Sequence, residues 1–438
     1  MKLNKLFLVA LMGLSLNACN KNDLSGNTTD NPQAEKSTYV AFSLKFNETN
    51  TRAEATNWAT EEESKITSAY VILSDNGKIT AIVDHNTAAT TDGKYIFQTV
   101  AGNHDFYAII NPDTPPTVGA NISDYFNSGQ KLNKEEISNA NNFMMSSCEK
   151  KTFNVNNNVT KEQAKDGNKD EPATNNFTIA VERVASKITM TCLNPALASE
   201  NNDNSGGTIS NLQYFLMGEA QSSYRMATTP NLNLKREDEG IKDFYDMTTN
   251  PIGTIIEIGE DKDKTKAKAT YCLENLQDDY KQGNTTYIIL KTNFIPQKVA
   301  DCTNGTVIEN DNTNTPESFV LVKSGALAGN YIIEKDLEAY KNAHDGNLPQ
   351  GVQQVSTVYT NGECWFGPIW IGQKDNQDPT GPVKRNTWYN LNITTIKLPG
   401  SPSAPTIDKE ESLIPDTHVA ITLDILDWAT VDRNINLQ

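Results

Sequence analysis

The sequence predicts an all-β fold, two β-sandwich domains in tandem with a few short helices, on three observations. Short runs in which apolar and polar side chains alternate recur along the chain, the period-two signature of half-buried strands. Asn, Asp and Gly stand between these runs, where turns need them. Segments with helical spacing are few and brief.

The elements justify this in order. Lys2 and Lys5 precede an apolar stretch over residues 6–16, too short to cross a hydrocarbon core of ~30 Å as a helix. It ends in Leu16-Asn17-Ala18-Cys19, which looks like a bacterial lipobox with Cys19 as the lipidated residue. Acylation there anchors a protein to a membrane without spanning it, at about 0.8 kcal/mol per buried methylene. Residues 20–37 are rich in Asn, Asp, Ser and Thr and read as a tether. The clearest strand follows: Val40, Phe42, Leu44 and Phe46 alternate with Ala41, Ser43 and Lys45. Beyond it, Arg52-Ala53 stands in a polar, exposed stretch.

Strands are expected at 66–73 and 79–83 around an Asp75-Asn76-Gly77 turn, a hairpin signal because those residues tolerate positive φ. A second hairpin is expected from 95–100 and 106–110 around Gly102-Asn103. A short helix capped by Asn133 is expected to end near Asn139. Residues 177–192 hold two strand-like runs, and the division between the sandwiches is set there. Further strands fall at 209–217, 252–258, 286–290, 318–322, 365–371 and 388–396. One helix spans 334–343 and stops at Gly346. Residues 399–415 are rich in Pro and Ser, a partly extended linker. Then Val419, Ile421, Leu423 and Ile425 alternate with Ala420, Thr422 and Asp424, and Trp428 follows. A strand beyond a flexible linker is free to leave its own subunit.

Composition narrows the function classes. The chain holds 38 basic and 55 acidic residues, a net charge of −17, which repels nucleic acid and anionic membrane faces. After Cys19, five cysteines remain: Cys148, Cys192, Cys272, Cys302 and Cys364. None forms a CxxC pair, so a zinc or thioredoxin site has no support, and the disulfide pairing stays open. The histidines (His85, His104, His344, His418) have no HExxH spacing. Nucleophile elbows, P-loops and dinucleotide fingerprints are absent. Glu61-Glu62-Glu63 and residues 260–266 read as charged loops. Asp375-Asn376-Gln377-Asp378 lacks the glutamate that closes a calcium loop. Neither an enzyme, a cofactor nor a metal is expected.

Several features together resemble the fimbrillins of Bacteroidales, the subunits of type V pili, most of all the major-subunit type of short fimbriae from Porphyromonas. They are the amino-terminal Met1-Lys2-Leu3-Asn4-Lys5 with its lipobox, Thr51-Arg52-Ala53 after one strand, and the 66–82 hairpin. The others are residues 181–190, Arg385-Asn386-Thr387-Trp388-Tyr389 and its strand, and residues 420–437 with Asp427-Trp428. The resemblance implies two transthyretin-like sandwiches and an outer-membrane lipoprotein precursor. It implies cleavage after Arg52 by an arginine-specific surface protease, leaving Ala53 first in the extracellular fimbria. It implies identical subunits joined head to tail, accessory tip and anchor subunits, and a role in adhesion, biofilm formation and virulence, with host or bacterial surface ligands. The chain then divides into a signal peptide (1–18), a lipidated propeptide with the first strand (19–52), sandwiches at 53–190 and 191–398, and a linker with the donor strand (399–438).

Elementary physics accounts for the switch this implies. Removing Val40, Phe42, Leu44 and Phe46 costs a gross ~6–12 kcal/mol of burial as an upper bound, and opens backbone edges that template an incoming strand. Val419, Ile421, Leu423 and Ile425 offer knobs at the same spacing, so insertion restores burial and ladder together. Such a head-to-tail contact grows an open filament. Two alternatives remain at this level. One is an accessory subunit of the same pilus. The other is a surface lipoprotein that binds glycans on an aromatic platform drawn from Trp365, Trp370 and Trp388.

Overall fold

A computed structural model describes residues 37–46, 60–84, 89–91, 94–128, 132–167, 172–192, 206–220, 223–226, 256–257, 269–277, 280–312, 314–371, 382–396, 398–408, 410–413 and 419–427. It is all-β, with strands in several sheets and few short helices.

Strand β1 (Ser37–Phe46) is followed by the one-turn helix α1 (Glu61–Ser64) and the hairpin β2 (Ala69–Asp75) and β3 (Lys78–Asp84). Asn76 and Gly77 both take positive φ at its tip (51° and 77°), the paired left-handed conformation a two-residue hairpin turn requires. Next come β4 (Ala89–Thr91), β5 (Lys94–Val100) and β6 (Gly102–Ile110). Helix α2 (Lys134–Ile137) is capped by Asn133 through a reciprocal box with Glu136, and is shorter than the expected helix because Ser138 and Asn139 enter a small strand. That strand is β7 (Ser138–Asn139), paired with β8 (Asn142–Phe143). β9 (Met145–Ser147), β10 (Lys151–Val155), α3 (Lys161–Asp166) and β11 (Asn176–Arg183) complete the first half. One nine-stranded ladder runs β3-β2-β6-β9-β11-β1-β5-β4, with β10 added to β6. It folds over itself around one core: Phe42 of β1 and Phe106 of β6, three strands apart in the ladder, meet with ring centroids 4.5 Å apart.

The expected second hairpin does not form. β5 pairs with β1 and β4, whereas β6 pairs with β2, β9 and β10. Gly102, at φ 142°, instead turns the chain from one side of the core to the other. Gly102 and Asn103 are themselves the first residues of β6, paired with Val155 and Asn154, and the break between the strands falls at Ala101.

The second half starts with β12 (Ala185–Cys192), separated from β11 by Val184 alone, so the chain changes sheet there. Then come β13 (Gly207–Met217), β14 (Ile256–Glu257), β15 (Ala269–Leu273), β16 (Tyr287–Pro296), β17 (Lys298–Ala300), β18 (Val307–Glu309), β19 (Phe319–Ser324), β20 (Tyr331–Ile333), α4 (Glu334–Ala343), β21 (Gln354–Val355), β22 (Glu363–Trp370), β23 (Thr387–Ile396) and β24 (Val419–Asp427). Two four-stranded sheets, β15-β12-β23-β24 and β14-β13-β16-β22, contribute to one apolar cluster that includes Ile188, Tyr214, Ile288, Phe366 and Leu391. Strands β17 to β21 with α4 form a small insertion on its own cluster, centred on Val320, Ile332 and Leu337. Helix α4 gives way at His344, and Gly346 behind it takes φ 81°.

The two halves repeat a pattern that no sequence period announces. β5-β1-β11-β9 pair antiparallel, parallel, antiparallel. β15-β12-β23-β24 do the same. By position β1 corresponds to β12, and β9 to β24. The decisive difference is attachment: β12 is bound to β11 through one residue, while β1 connects onward only through residues 47–59.

Candidate functional site: the first strand and its groove

β1 is an interior strand, parallel to β11 on one side and antiparallel to β5 on the other. Phe42 stands opposite both Phe177 and Tyr95, and Ala41 opposite both Asn176 and Ile96. One face carries Val40, Phe42 and Leu44 into the main core, at 0%, 0% and 4% exposure. The Phe42 ring stands at the centre of an aromatic box: Phe97, Phe106, Phe153 and Phe177 all lie with centroids 4.5–5.9 Å from it. Such contacts add to the area term. The other face is narrower. Ala41 is fully buried in a cluster with Ile96, Val159 and Ala164 of α3, and Ser43 is buried beside it. Only Ser37 and Lys45 are exposed among residues 37–45.

The head of the strand is tied by polar contacts. Thr38 Oγ1 accepts from Val159 N–H at 3.0 Å, Tyr39 N–H donates to Val159 O at 3.1 Å, and Asn175 Nδ2 donates to Tyr39 O at 3.0 Å. Burial of Val40, Phe42 and Leu44 contributes a gross ~5–9 kcal/mol, an upper bound. A strand of ten residues thus fills a slot with two ladders, an aromatic box and one shallow wall.

β24 lies elsewhere, antiparallel to β23 in register from Thr387 opposite Asp427 to Ile396 opposite Val419, at the end of its sheet. Val419, Ile421, Leu423 and Ile425 all fall within it, held by one ladder where β1 is held by two. β1 and β24 are not brought together within the subunit. Cys19, Arg52, Ala53 and Trp428 lie outside the described residues, as do residues 260–266, 375–378, His85 and His418. Residues 399–415, expected as a partly extended linker, are docked along the second half where described, at 398–408 and 410–413. Trp365 and Ser401 exchange backbone hydrogen bonds, Tyr359 Oη donates to Gly400 O at 2.9 Å, and Gln282 Nε2 donates to Ser412 O at 2.9 Å. Ile407 and Leu413 pack on a cluster with Phe215, Tyr287 and Trp370. Their apolar side chains, spaced among the prolines, were the overlooked signal of docking.

Glu63, read as part of a charged loop, is instead buried and central. Thr60 and Glu63 close a reciprocal cap on α1. The Glu63 carboxylate meets Lys187 Nζ at 2.9 Å and accepts from Tyr271 Oη at 2.6 Å. Burial raises its pKa, but the Lys187 charge, with hydrogen bonds from Lys187, Tyr271 and Thr60, outweighs that and holds the carboxyl below its ordinary value. Burial lowers Lys187 against the pull of Glu63, and with two carboxylate contacts we take the ammonium as charged at neutral pH. Beside it, fully buried Arg183 donates Nε to Glu63 O at 3.2 Å, and burial brings it down to about 10. The Thr60-x-x-Glu63 spacing was the available sequence signal.

The Arg385-Asn386-Thr387-Trp388 stretch serves the same junction between halves. Arg385 Nε donates to Glu274 Oε2 at 2.9 Å, Asn386 Oδ1 accepts from Arg183 N–H at 3.2 Å, and Trp388 Nε1 donates to Thr189 Oγ1 at 2.8 Å. Trp388 and Trp370 are buried, and Trp365 stacks half-covered on Phe215, so the three do not form an exposed aromatic platform. Cys148, Cys272, Cys302 and Cys364 are free thiols. Among the described residues no His/Cys/Asp/Glu group is arranged to hold a metal, and no helix is long and apolar enough to cross a membrane.

Residues 357–434, which contain β22, β23, the docked segment and β24, match the family model described as major fimbrial subunit protein type IV, fimbrillin, C-terminal. The C-terminal part of the chain is thus similar to the C-terminal region of fimbrillins. Similar solved structures include a fimbrilin from Porphyromonas gingivalis W83, at 14% identity and TM-score 0.46 over 91% of this chain and 99% of that one. The tip fimbrial protein Mfa3 from Porphyromonas gingivalis, truncated at its C-terminus, is similar at 15% identity and TM-score 0.39 over 90% and 100%. A candidate cell adhesion protein from Parabacteroides distasonis ATCC 8503 is similar at 14% identity and TM-score 0.47 over 90% and 100%. No curated protein sequence matches the chain.

Proposed function

We propose that this chain is the structural, major subunit of a cell-surface fimbria. In this reading it is exported as a precursor lipidated at Cys19, carried to the outer membrane, and cut after Arg52 by an arginine-specific protease. The cut frees β1, and the terminal strand of a neighbouring subunit takes its slot. Repetition gives a head-to-tail filament of identical subunits, with accessory tip and anchor subunits at its ends, that serves adhesion and biofilm formation.

The observation that carries this reading is the placement of β1. Of the two corresponding strands it is the one not locked into its half by a one-residue link, and a cut at Arg52 severs it while leaving α1 and everything after it intact. β24 is the complementary piece: a strand with the same apolar spacing, at a sheet edge, held on one side only. Moving from one ladder to two, with burial on both faces, favours the exchange. The uncut chain has no vacancy, so proteolysis sets the timing.

The test is surface material from cells making the wild type or Arg52→Ala, examined by N-terminal sequencing and electron microscopy. Fibres with Ala53 at the N-terminus in the wild type, and fibre-free cells with Arg52→Ala, are the expected pair of results. Fibres of undiminished number from Arg52→Ala would reject the scheme.

A further inference from the structure

The exchange reading says that the tail enters the slot but leaves open which residues enter and in what register. The shape of the slot answers this. We propose that residues 419–425 replace residues 40–46 one for one and in the same direction, so that Ala420 takes the place of Ala41 beneath α3. The inference rests on the exchange reading and refines it.

Val40-Ala41-Phe42-Ser43-Leu44-Lys45-Phe46 and Val419-Ala420-Ile421-Thr422-Leu423-Asp424-Ile425 correspond position by position. Valine, alanine and leucine recur unchanged, serine becomes threonine, and both phenylalanines become isoleucine. The charged residue falls at the sixth position in both, and in the slot that position is the exposed one, Lys45.

Shifting the tail two residues destroys the fit. Moved one way, it puts Asp424 at the buried Ser43 position and Leu426 at the exposed one. An uncompensated buried carboxylate costs several kcal/mol after relaxation. Moved the other way, it puts His418 at the fully buried Ala41 position, against Ile96, Val159 and Ala164. A one-residue shift sends the apolar set to the wrong face. In the proposed register Ala420 pairs with the positions opposite Ala41, namely Ile96 of β5 and Asn176 of β11, and Ile421 with Tyr95 and Phe177. The tail keeps the parallel ladder on β11 and the antiparallel one on β5.

The same register makes Ile421 the occupant of the aromatic box that Phe42 fills. Isoleucine is smaller than phenylalanine, so the box is underfilled in the exchanged state. The uncut precursor is therefore packed better at this point than the filament, which opposes exchange until the cut is made.

Full-length chains carrying Ala420→Cys with Ile96→Cys are cut with an arginine-specific protease, allowed to form filaments, and oxidised. Antiparallel neighbours bring Cα atoms within disulfide range, so the expected result is a covalent ladder of subunits on non-reducing gels. The comparison pair is Ala420→Cys with Lys94→Cys, which reports Ala420 at the Ser43 position, reached by a two-residue shift. Filaments linked through Lys94→Cys and not Ile96→Cys overturn the register while leaving exchange standing. Filaments linked through neither also overturn it. If cut wild-type chains form no filaments, the exchange reading itself falls and the register with it.

Variants of the tail alone decide the matter should Ile96→Cys impair folding. Ala420→Leu is expected to reduce filament yield about tenfold or more, from overpacking against Ile96, Val159 and Ala164. Ile421→Phe, refilling the box, is expected to shift filament dissociation to higher temperature. Wild-type yield from Ala420→Leu, or dissociation of Ile421→Phe filaments below the wild-type temperature, counts against the register.

Discussion

At the scale of single residues, Phe42 and Glu63 carry the sharpest consequences. Phe42 is enclosed by four phenylalanines, and Phe42→Ala in the uncut precursor is expected to lower stability by about 3–5 kcal/mol, read from denaturant unfolding. Ala41→Leu leaves the apolar character unchanged but overfills the wall under α3, and about 1–3 kcal/mol of destabilisation is expected. Glu63 presents a pH test. Its folded-state pKa is depressed, so the stabilisation it contributes is complete above the unfolded value and is lost as pH falls through the folded one. Glu63→Gln strands a buried ammonium at neutral pH and should lower the melting temperature. Below a pH of about 4.5 the gap between the two proteins should narrow as the wild type loses its own carboxylate. A gap that stays constant from pH 7 to pH 3 would contradict this assignment.

At the scale of elements, the proposed exchange asks β24 to leave a sheet in which it is held on one side only, and β1 to leave once the link between it and α1 is cut. Deleting residues 416–438 is expected to leave the precursor folded and exportable, since the strand contributes one ladder, but to abolish fibres under the electron microscope. Fibre formation by the truncated chain would be incompatible with exchange. Much of this was legible in the residues. The alternation of Val40 to Phe46 and Val419 to Ile425 gave both strands, and Asn76-Gly77 gave a true hairpin. What the sequence hid were relations between distant segments. Gly102-Asn103 reads as a hairpin turn, yet both residues belong to β6, and β5 and β6 part company. The 399–415 stretch reads as open chain because its prolines are conspicuous and its docking residues, Ile407 and Leu413, are sparse. Glu63 looks like any acidic loop residue until Lys187 and Tyr271, more than a hundred positions away, are placed against it.

At the scale of the whole molecule, the halves are joined by a buried ionic seam rather than by a loose connector. Glu63, Arg183, Lys187, Glu274 and Arg385 lie along it, and Trp388 and Leu273 extend the first core into the second half. A seam of this kind keeps β1 and β24 at a fixed spacing, which the proposed repeating assembly needs. Lys187→Ala should therefore do more than destabilise by about 3–5 kcal/mol: cut chains carrying it should give shorter or irregular fibres at a temperature where the variant is still folded.

The docking of residues 398–408 and 410–413 bears on how a fibre built by the proposed exchange would take strain. Because this strap is fastened down to Leu413, a tug between neighbours joined by the proposed exchange would reach the borrowed strand through a lead only a few residues long and enter at its Val419 end. The load then runs lengthwise, and both rows of backbone bonds in the recipient resist it at once instead of peeling open one rung at a time.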